Sequence, residues 1–585
     1  MALSKPRIHH SPAALSPLAL SVAAAGPLLV LAILFATDTM LGSPRKFVYP
    51  YSLIAHERLA AAWFPFILLV PMLVACRSVA SNEPRRRRLG LCVFGIGYAA
   101  IVAWTHVASP NARLEHVFNM RSPSQDGAFM LEARTITSLP DYLRRFPELL
   151  QRSPEELRNV RVLSNPPGAT MLAYGVLKLQ PLVPGLYERV ERLVIAGEEG
   201  VDDPHLEYAQ DECLTAVFTL LWGLSIIFAY GLARLWLAPL PALVVAVACV
   251  FNPTSLPFAP GKDPAQLLTA LAILYCWFRG YMRGGWWWPA AAGALTVFGA
   301  MLSLVHIWIA LIALIATIWH ASGKYDQHSP SRRNAPNPSR PPKADKGAIE
   351  RGHAPPFPDP DGHRDGSVLP AALRMCLLPA AAGAAVVSLI AYSWMDWNIP
   401  LTLIATARRY ISLQEDVLIS PFYYNLLGGG IFLLFVGPTF WMLLTLALAS
   451  RGMASQRAAL GGHERASTCS PHASRGESMP PAARLGRHLL ICTAAVMLYT
   501  YLFAQNAEVP RLWTVFVPLL ILPLALIVPH FRHTRRVGHD ASSAWSKGLL
   551  IAILACQTYG TLLHWSLMDV RGTETRLVTG RYFEG

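Results

Sequence analysis

The chain has 585 residues, 53% of them hydrophobic and only 15% charged, with a formal net charge of +14 and a mean hydropathy of +0.36. A composition this apolar at this length excludes an ordinary soluble protein and a disordered one, and makes the bilayer the main solvent. The excess positive charge lies in loops, which suits anionic headgroups and topology rather than nucleic acid.

In chain order, runs of about 18 or more nearly uncharged apolar residues predict spans at 18–37, 59–76, 89–108, 214–233, 240–257, 264–280, 287–303, 304–320, 370–393, 423–448, 488–505, 512–530 and 548–566. The expected fold is an all-α integral membrane protein with about 13 transmembrane helices (11–14) and a partly helical extracytoplasmic loop after the third span. The first span has no small-residue cleavage site at Ala36-Thr37-Asp38 and reads as an uncleaved anchor. The 34 apolar residues of 287–320 are too long for one helix and must turn near Ser303–His306; one tilted helix there would invert everything downstream.

Loop charge tests this topology, because Lys and Arg collect on the cytoplasmic side. With the N-terminus cytoplasmic, the inner loops carry Arg77 with Arg85 to Arg88, then Arg279 and Arg283, then 321–368, 450–487 and 531–547, and each is basic. The outer loop 109–213 carries 16 Asp or Glu against 11 Lys or Arg. The lack of a eukaryotic sorting signal points to a bacterial cytoplasmic membrane.

The chain divides into an N-terminal membrane module 1–320 containing the loop 109–213, a linker 321–368, membrane helices 369–450, a second linker 451–486 and C-terminal helices 487–585. Both linkers are too rich in Pro and charge to form a core and are expected to stay disordered in the cytoplasm. In the outer loop, LPDYLRRFPELLQ spaces Leu143, Phe146 and Leu150 as an amphipathic helix lying in the interface, a lateral wall of a site. Pro166-Pro167-Gly168 forces an extended turn into 169–183, which is short for a crossing and reads as a buried or re-entrant helix.

Seven of the nine cysteines, Cys76, Cys92, Cys249, Cys276, Cys376, Cys492 and Cys556, fall in spans and read as small buried residues. Cys213 and Cys469 lie on opposite sides and cannot bridge. No CxxC or HExxH spacing suggests a structural metal. Trp286-Trp287-Trp288 reads as an aromatic belt anchor. Glu188, Arg189, Glu191 and Arg192 read as a solvated helix face, and His306 as a satisfied residue at a helix end.

Several charges stand apart because they gather on the outer face beside the bilayer, where burial costs several kcal/mol per ion. They are Asp126 in SPSQDGAFMLEA, Lys262 and Asp263 in APGKDPAQLLTALAIL, and Glu508 and Arg511 in AEVPRLWTVFVPLL, with Asn165 before the two prolines. Their order resembles that of polytopic GT-C glycosyltransferases, including protein O-mannosyltransferases and lipid A aminoarabinose transferases, over about residues 89 to 530. Three features depart from that pattern. The acidic loop follows the third helix rather than the first, Asp126 lacks an acidic neighbour, and Asn165 stands where many relatives have His.

The resemblance implies a membrane glycosyltransferase moving a sugar from a polyprenyl-phosphate donor to a lipid, glycan or protein acceptor at the extracytoplasmic face. Such chemistry needs a base for the acceptor proton and fixed cations for the leaving phosphate. Asp126 is the candidate base. Asp263 would orient the acceptor or the base, or hold a divalent cation with Asp126 if one is used. Arg511 and Lys262 would bind donor phosphate, with Glu508 fixing Arg511. Each residue also has a structural reading. Asp126-Gly127 suits a turn, Asp263 suits an N-cap with Pro264 at the first helical position, and Glu508 with Arg511 suits an ion pair at a membrane edge. The alternative function is a transporter or flippase, whose ionisable groups would sit at mid-membrane in repeated halves; none repeats here.

Overall fold

The computed structural model describes residues 17–37, 40–43, 47–50, 63–79, 81, 83–107, 120, 125–152, 160–195, 205–258, 261–328, 368–415, 432–450, 480–503, 513–531 and 541–567. Glu508, Arg511, Cys469 and most of both expected linkers lie outside these residues; the described linker ends, 321–328 and 481–486, are helical rather than disordered. Apart from a small antiparallel hairpin, β1 (Met40–Ser43) with β2 (Phe47–Pro50), every described element is helical.

The N-terminal helices are α1 (Pro17–Ala36), α2 (Trp63–Val79) and α3 (Pro84–Val107). The next segment carries the shorter α4 (Gly127–Thr135), α5 (Leu139–Leu149), α6 (Val160–Leu163), α7 (Gly168–Leu179) and α8 (Pro184–Ile195). Then come α9 (His205–Ala233), α10 (Pro239–Val250), α11 (Lys262–Arg283), α12 (Trp287–Leu302) and α13 (Val305–His328). The last group is α14 (Val368–Met395), α15 (Ile399–Glu415), α16 (Pro438–Ser450), α17 (Pro481–Phe503), α18 (Val517–Ile527) and α19 (Ala541–Leu567).

Four of these helices contain stretches long and apolar enough to cross a membrane: Ala209–Ala233, Val305–Ser322, Arg374–Met395 and Lys547–Ser566. The expected break in 287–320 is present, with α12 ending at Leu302 and α13 beginning at Val305. Other expected spans have a different form. α10 is 12 residues long and all but its first residue is buried, a rise of roughly 18 Å against a hydrocarbon core of about 30 Å. The predicted span 423–448 is interrupted at Gly437, whose φ of 92° and following Pro438 end one helical piece and start another. Hydropathy reports only that a segment avoids water, and a helix enclosed by protein avoids it as well as one facing lipid.

α11 is the axis of the fold. It packs most extensively against α9 and α12 and also touches α13 and α14. The loop that leads into it is enclosed, so its polar groups must be satisfied internally. Asn252 donates to the carbonyls of Ala248 (3.2 Å) and Cys249 (3.1 Å) and accepts from the Thr254 amide at 3.0 Å. From α19, Gln557 donates to the Phe251 carbonyl at 3.1 Å, and Thr514 donates to the Thr254 carbonyl at 2.8 Å. These bonds fix where α11 starts.

α12 and α14 meet through small residues. A Cβ on Gly293 would lie 1.8 Å from the Ala380 carbonyl oxygen, and one on Gly383 would lie 1.9 Å from that of Ala290. Backbones this close are the signature of helix pairs held by van der Waals contact in lipid, where no hydrophobic drive acts between helices.

α5 corrects an expectation. Ser138 caps it, accepting from the Asp141 amide at 3.4 Å, and Leu143, Phe146 and Leu150 form its buried face. That face is covered by protein, not lipid: Leu143 packs with Met301, Ala391, Trp397 and Ile399, and Phe146 with α4 and α7. α7 and its buried face match the buried alternative of the short helix expected at 169–183. Of the cysteines expected to be buried, Cys92 is exposed and Cys556 half-buried.

The Gly293 contact predicts that Gly293→Ala lowers unfolding free energy by about 3 kcal/mol, measured by SDS titration in mixed micelles. Gly223→Ala, with open space at its Cβ, should shift it by less than about 1 kcal/mol.

Candidate active site

Four of the sequence-predicted residues, Asp126, Asn165, Lys262 and Asp263, converge at the start of α11, joined by Arg161. Asp126 precedes α4 but does not cap it. Its Oδ2 instead accepts the backbone amide of Lys262 at 2.5 Å, so the carboxylate caps α11 from a distant segment, where the helix dipole favours an anion. Its Oδ1 accepts from Arg161 Nη2 at 2.9 Å and Nε at 3.2 Å.

Gly261 makes this approach possible. Its backbone is ordinary extended chain, but a Cβ there would lie 2.7 Å from Asp126 Oδ2. Gly261, not Asp263, is the N-cap position of α11, which corrects the capping expectation. Asp263 lies within the first turn, where Oδ1 accepts from Gln266 Nε2 at 2.8 Å and Oδ2 from Arg161 Nη2 at 3.3 Å.

Lys262 points the same way. Its Nζ donates to Asn165 Oδ1, lies 3.5 Å from Asp263 Oδ1, and sits 5.6 Å from the centre of the Phe129 ring. Asn165 is held by donation of its Nδ2 to the Arg161 carbonyl at 2.8 Å and to Ser164 Oγ at 3.1 Å. After the two prolines, a Cβ on Gly168 would lie 2.5 Å from the Met301 carbonyl oxygen, so the turn is seated against the end of α12.

Asp126, Lys262 and Asp263 are 2%, 3% and 4% exposed, and the Arg161 side chain is 12% exposed. Two carboxylates and two cations cancel in formal charge, which is the condition for burying them. Arg161 is the most accessible of the four ions, and with half-buried Ser164 and Asn165 it forms the open side of the cluster.

One guanidinium bridges the two carboxylates, so a divalent cation held by Asp126 and Asp263 together would compete with Arg161 for their oxygens. Among the described residues no group of three or more His, Cys, Asp or Glu could hold a metal.

His306 is satisfied, as expected. Its Nδ1 lies 2.9 Å from the Ser303 carbonyl oxygen and its Nε2 2.7 Å from Thr269 Oγ1. Sequence reasoning missed Arg161, Gln266 and Gly261. Arg161 is one of several charges between 155 and 161, and only its place four residues before Asn165 sets it apart.

No known protein-family model matches this chain, and no characterised protein or solved structure shows significant similarity to it.

Two predictions follow from these contacts. Arg161→Ala leaves two buried carboxylates short of a cation and should destabilise the fold by about 4 kcal/mol; adding Asp126→Asn should recover at least about 1 kcal/mol in a double-mutant cycle. The second concerns Glu132 on α4, whose carboxyl pKa is raised above the ordinary value by burial, partly offset by Arg152 and Tyr142. The folded chain therefore holds this proton more tightly than the unfolded one. The resulting stability is complete below the unfolded pKa of about 4.3 and is lost as pH rises through the higher folded value. Glu132→Gln should remove that slope and make the protein more stable at neutral pH, measured by unfolding at several pH values.

Proposed function

We propose that this chain is a polytopic membrane glycosyltransferase of the GT-C kind that transfers a sugar from a polyprenyl-phosphate donor at the extracytoplasmic face of a bacterial cytoplasmic membrane. The proposal includes the topology of about thirteen crossings with a cytoplasmic N-terminus. The observation that carries it is the meeting of Asp126, Asp263, Lys262 and Arg161, brought from three separated segments to one end of α11. Charges gathered at this cost are more economically explained by a reaction site than by helix packing alone.

In this reading the acceptor hydroxyl gives its proton to a carboxylate, Asp126 being the candidate, as its oxygen bonds to the anomeric carbon. The bond from that carbon to the phosphate oxygen breaks, and polyprenyl phosphate leaves with one more negative charge. Arg161, on the open side, is the cation best placed to receive that charge. Lys262, held by Asn165, adds to the same field, and Asp263 orients Arg161. Glu508 and Arg511 keep their proposed donor-phosphate roles, in a segment outside the described residues.

The test is transfer from a panel of radiolabelled polyprenyl-phosphate sugars by the purified protein in liposomes. Asp126→Asn and Arg161→Lys, each shown to be monodisperse and folded, should lower transfer by about 10³-fold. Donor left unconsumed by the wild type, or full activity in both variants, would contradict the proposal. Movement of intact donor across the bilayer without transfer would favour a flippase.

A further inference from the structure

The other end of α11 carries a second charged cluster, unrelated to the chemistry above. Twenty-two residues separate the ends of the helix, a rise of roughly 33 Å, close to the hydrocarbon thickness of about 30 Å. α11 finishes with Arg279 and Arg283 and turns sharply at Gly284 and Gly285, whose φ values of 75° and 96° favour glycine. The turn returns three tryptophans beside the last helical turns. The Arg279 guanidinium lies 4.1 Å from the Trp288 ring centre and 5.5 Å from that of Tyr275, and Trp287 stacks on Trp288 at 3.5 Å.

Tyr275 ties this corner to α9. Its ring meets Phe228 edge-on at 6.0 Å and would lie 3.1 Å from a Cβ on Gly231. Three residues later Arg234 donates to the Leu237 carbonyl. Burial is the largest influence against its charged form; Tyr230 opposes this, and the nearby Arg87 and Arg283 guanidiniums add to it. Arginine does not shed its proton near neutral pH, so the crowding of like charge persists. Arg87 stands in the first turn of α3 among Arg85, Arg86 and Arg88, where the helix dipole also disfavours cations. Among the described residues Glu83 pairs with Arg86, at 2.8 Å. Arg279 Nε is buried with no hydrogen-bond partner among the described residues.

All these terms favour an anion at the corner. We propose that Arg87, Arg234, Arg279 and Arg283 bind the phosphate of an anionic phospholipid headgroup. A lipid rather than a free phosphate fits because apolar side chains run away from the cations along both flanking helices. Half-buried Leu91 lies one turn after Arg87 on α3, and exposed Ile227 lies two turns before Arg234 on α9. Acyl chains would lie along these residues, while exposed Trp286 and Trp287 sit at headgroup level, where indoles concentrate. This inference depends on membrane embedding and not on the glycosyltransferase reading.

Native mass spectrometry of the full-length detergent-solubilised protein, titrated with phosphatidylglycerol, phosphatidylcholine and inorganic phosphate, tests it. Phosphatidylglycerol should bind at least about tenfold more tightly than phosphatidylcholine, and each arginine removed should weaken it by about fivefold. The variants are Arg283→Gln alone, an exposed side chain, and Arg234→Gln/Arg283→Gln. Arg189→Gln, on the exposed face of α8, should leave the preference intact. Equal binding of the two lipids, an unchanged preference in Arg283→Gln, or complete displacement by millimolar inorganic phosphate would overturn the proposal.

Discussion

A carboxylate withdrawn from water must find its hydrogen-bond donors within the protein, and Asp126 finds them in segments 35 and 136 residues away along the chain. This requirement joins the start of α4, the short helix α6 before the two prolines and the first amide of α11. Gly261 follows from it, since any side chain there would displace the carboxylate. So does Gly168, which brings the proline turn down onto the end of α12. The cluster is a structural joint and, in the proposed function, also the reaction site. These roles are compatible, because a group fixed by several donors is also preorganised.

α11 connects the two charged regions of the molecule. Its apolar middle is enclosed by α9 and α12, its first turn holds the neutralised ion cluster, and its last turns hold arginines that crowd one another. The ends differ in how charge is handled. At the first, acids and bases are matched inside the protein; at the second, cations gather beside exposed indoles and aliphatic side chains. The length of α11, roughly 33 Å, matches a hydrocarbon core of about 30 Å, and the proposed topology puts each end at its own interface.

Much of the architecture was legible in the sequence where local chemistry decides it. The break at Ser303–Leu304, the spacing of Leu143, Phe146 and Leu150, and the short helix after Pro167 all come from apolar run length, helical period and proline geometry. Asp126, Lys262 and Asp263 stood out because charges beside apolar runs are costly, and Asn165 because it precedes the two prolines. What could not be read was the partner of each group. Arg161 has no local mark among its charged neighbours, and the role of Gly261 exists only once Asp126 reaches it from elsewhere. Asp263 before Pro264 fits a cap by local preference, yet a distant carboxylate took that position. Likewise the spans expected at 240–257 and 512–530 come out as the shorter helices α10 and α18, because hydropathy does not report where a helix ends inside an enclosed apolar run.

The central claim is that the cluster at the start of α11 faces an extracytoplasmic site that receives a polyprenyl-phosphate sugar. The most direct measurement places a cysteine at Ser164, half-buried beside Asn165 and Arg161, in a background without native cysteines, and follows labelling by a membrane-impermeant maleimide in sealed, oriented vesicles. The account predicts labelling from the extracytoplasmic side only, slowed by polyprenyl-phosphate sugar and not by the polyprenol alone. Labelling from the cytoplasmic side, or a rate indifferent to the donor, would contradict it.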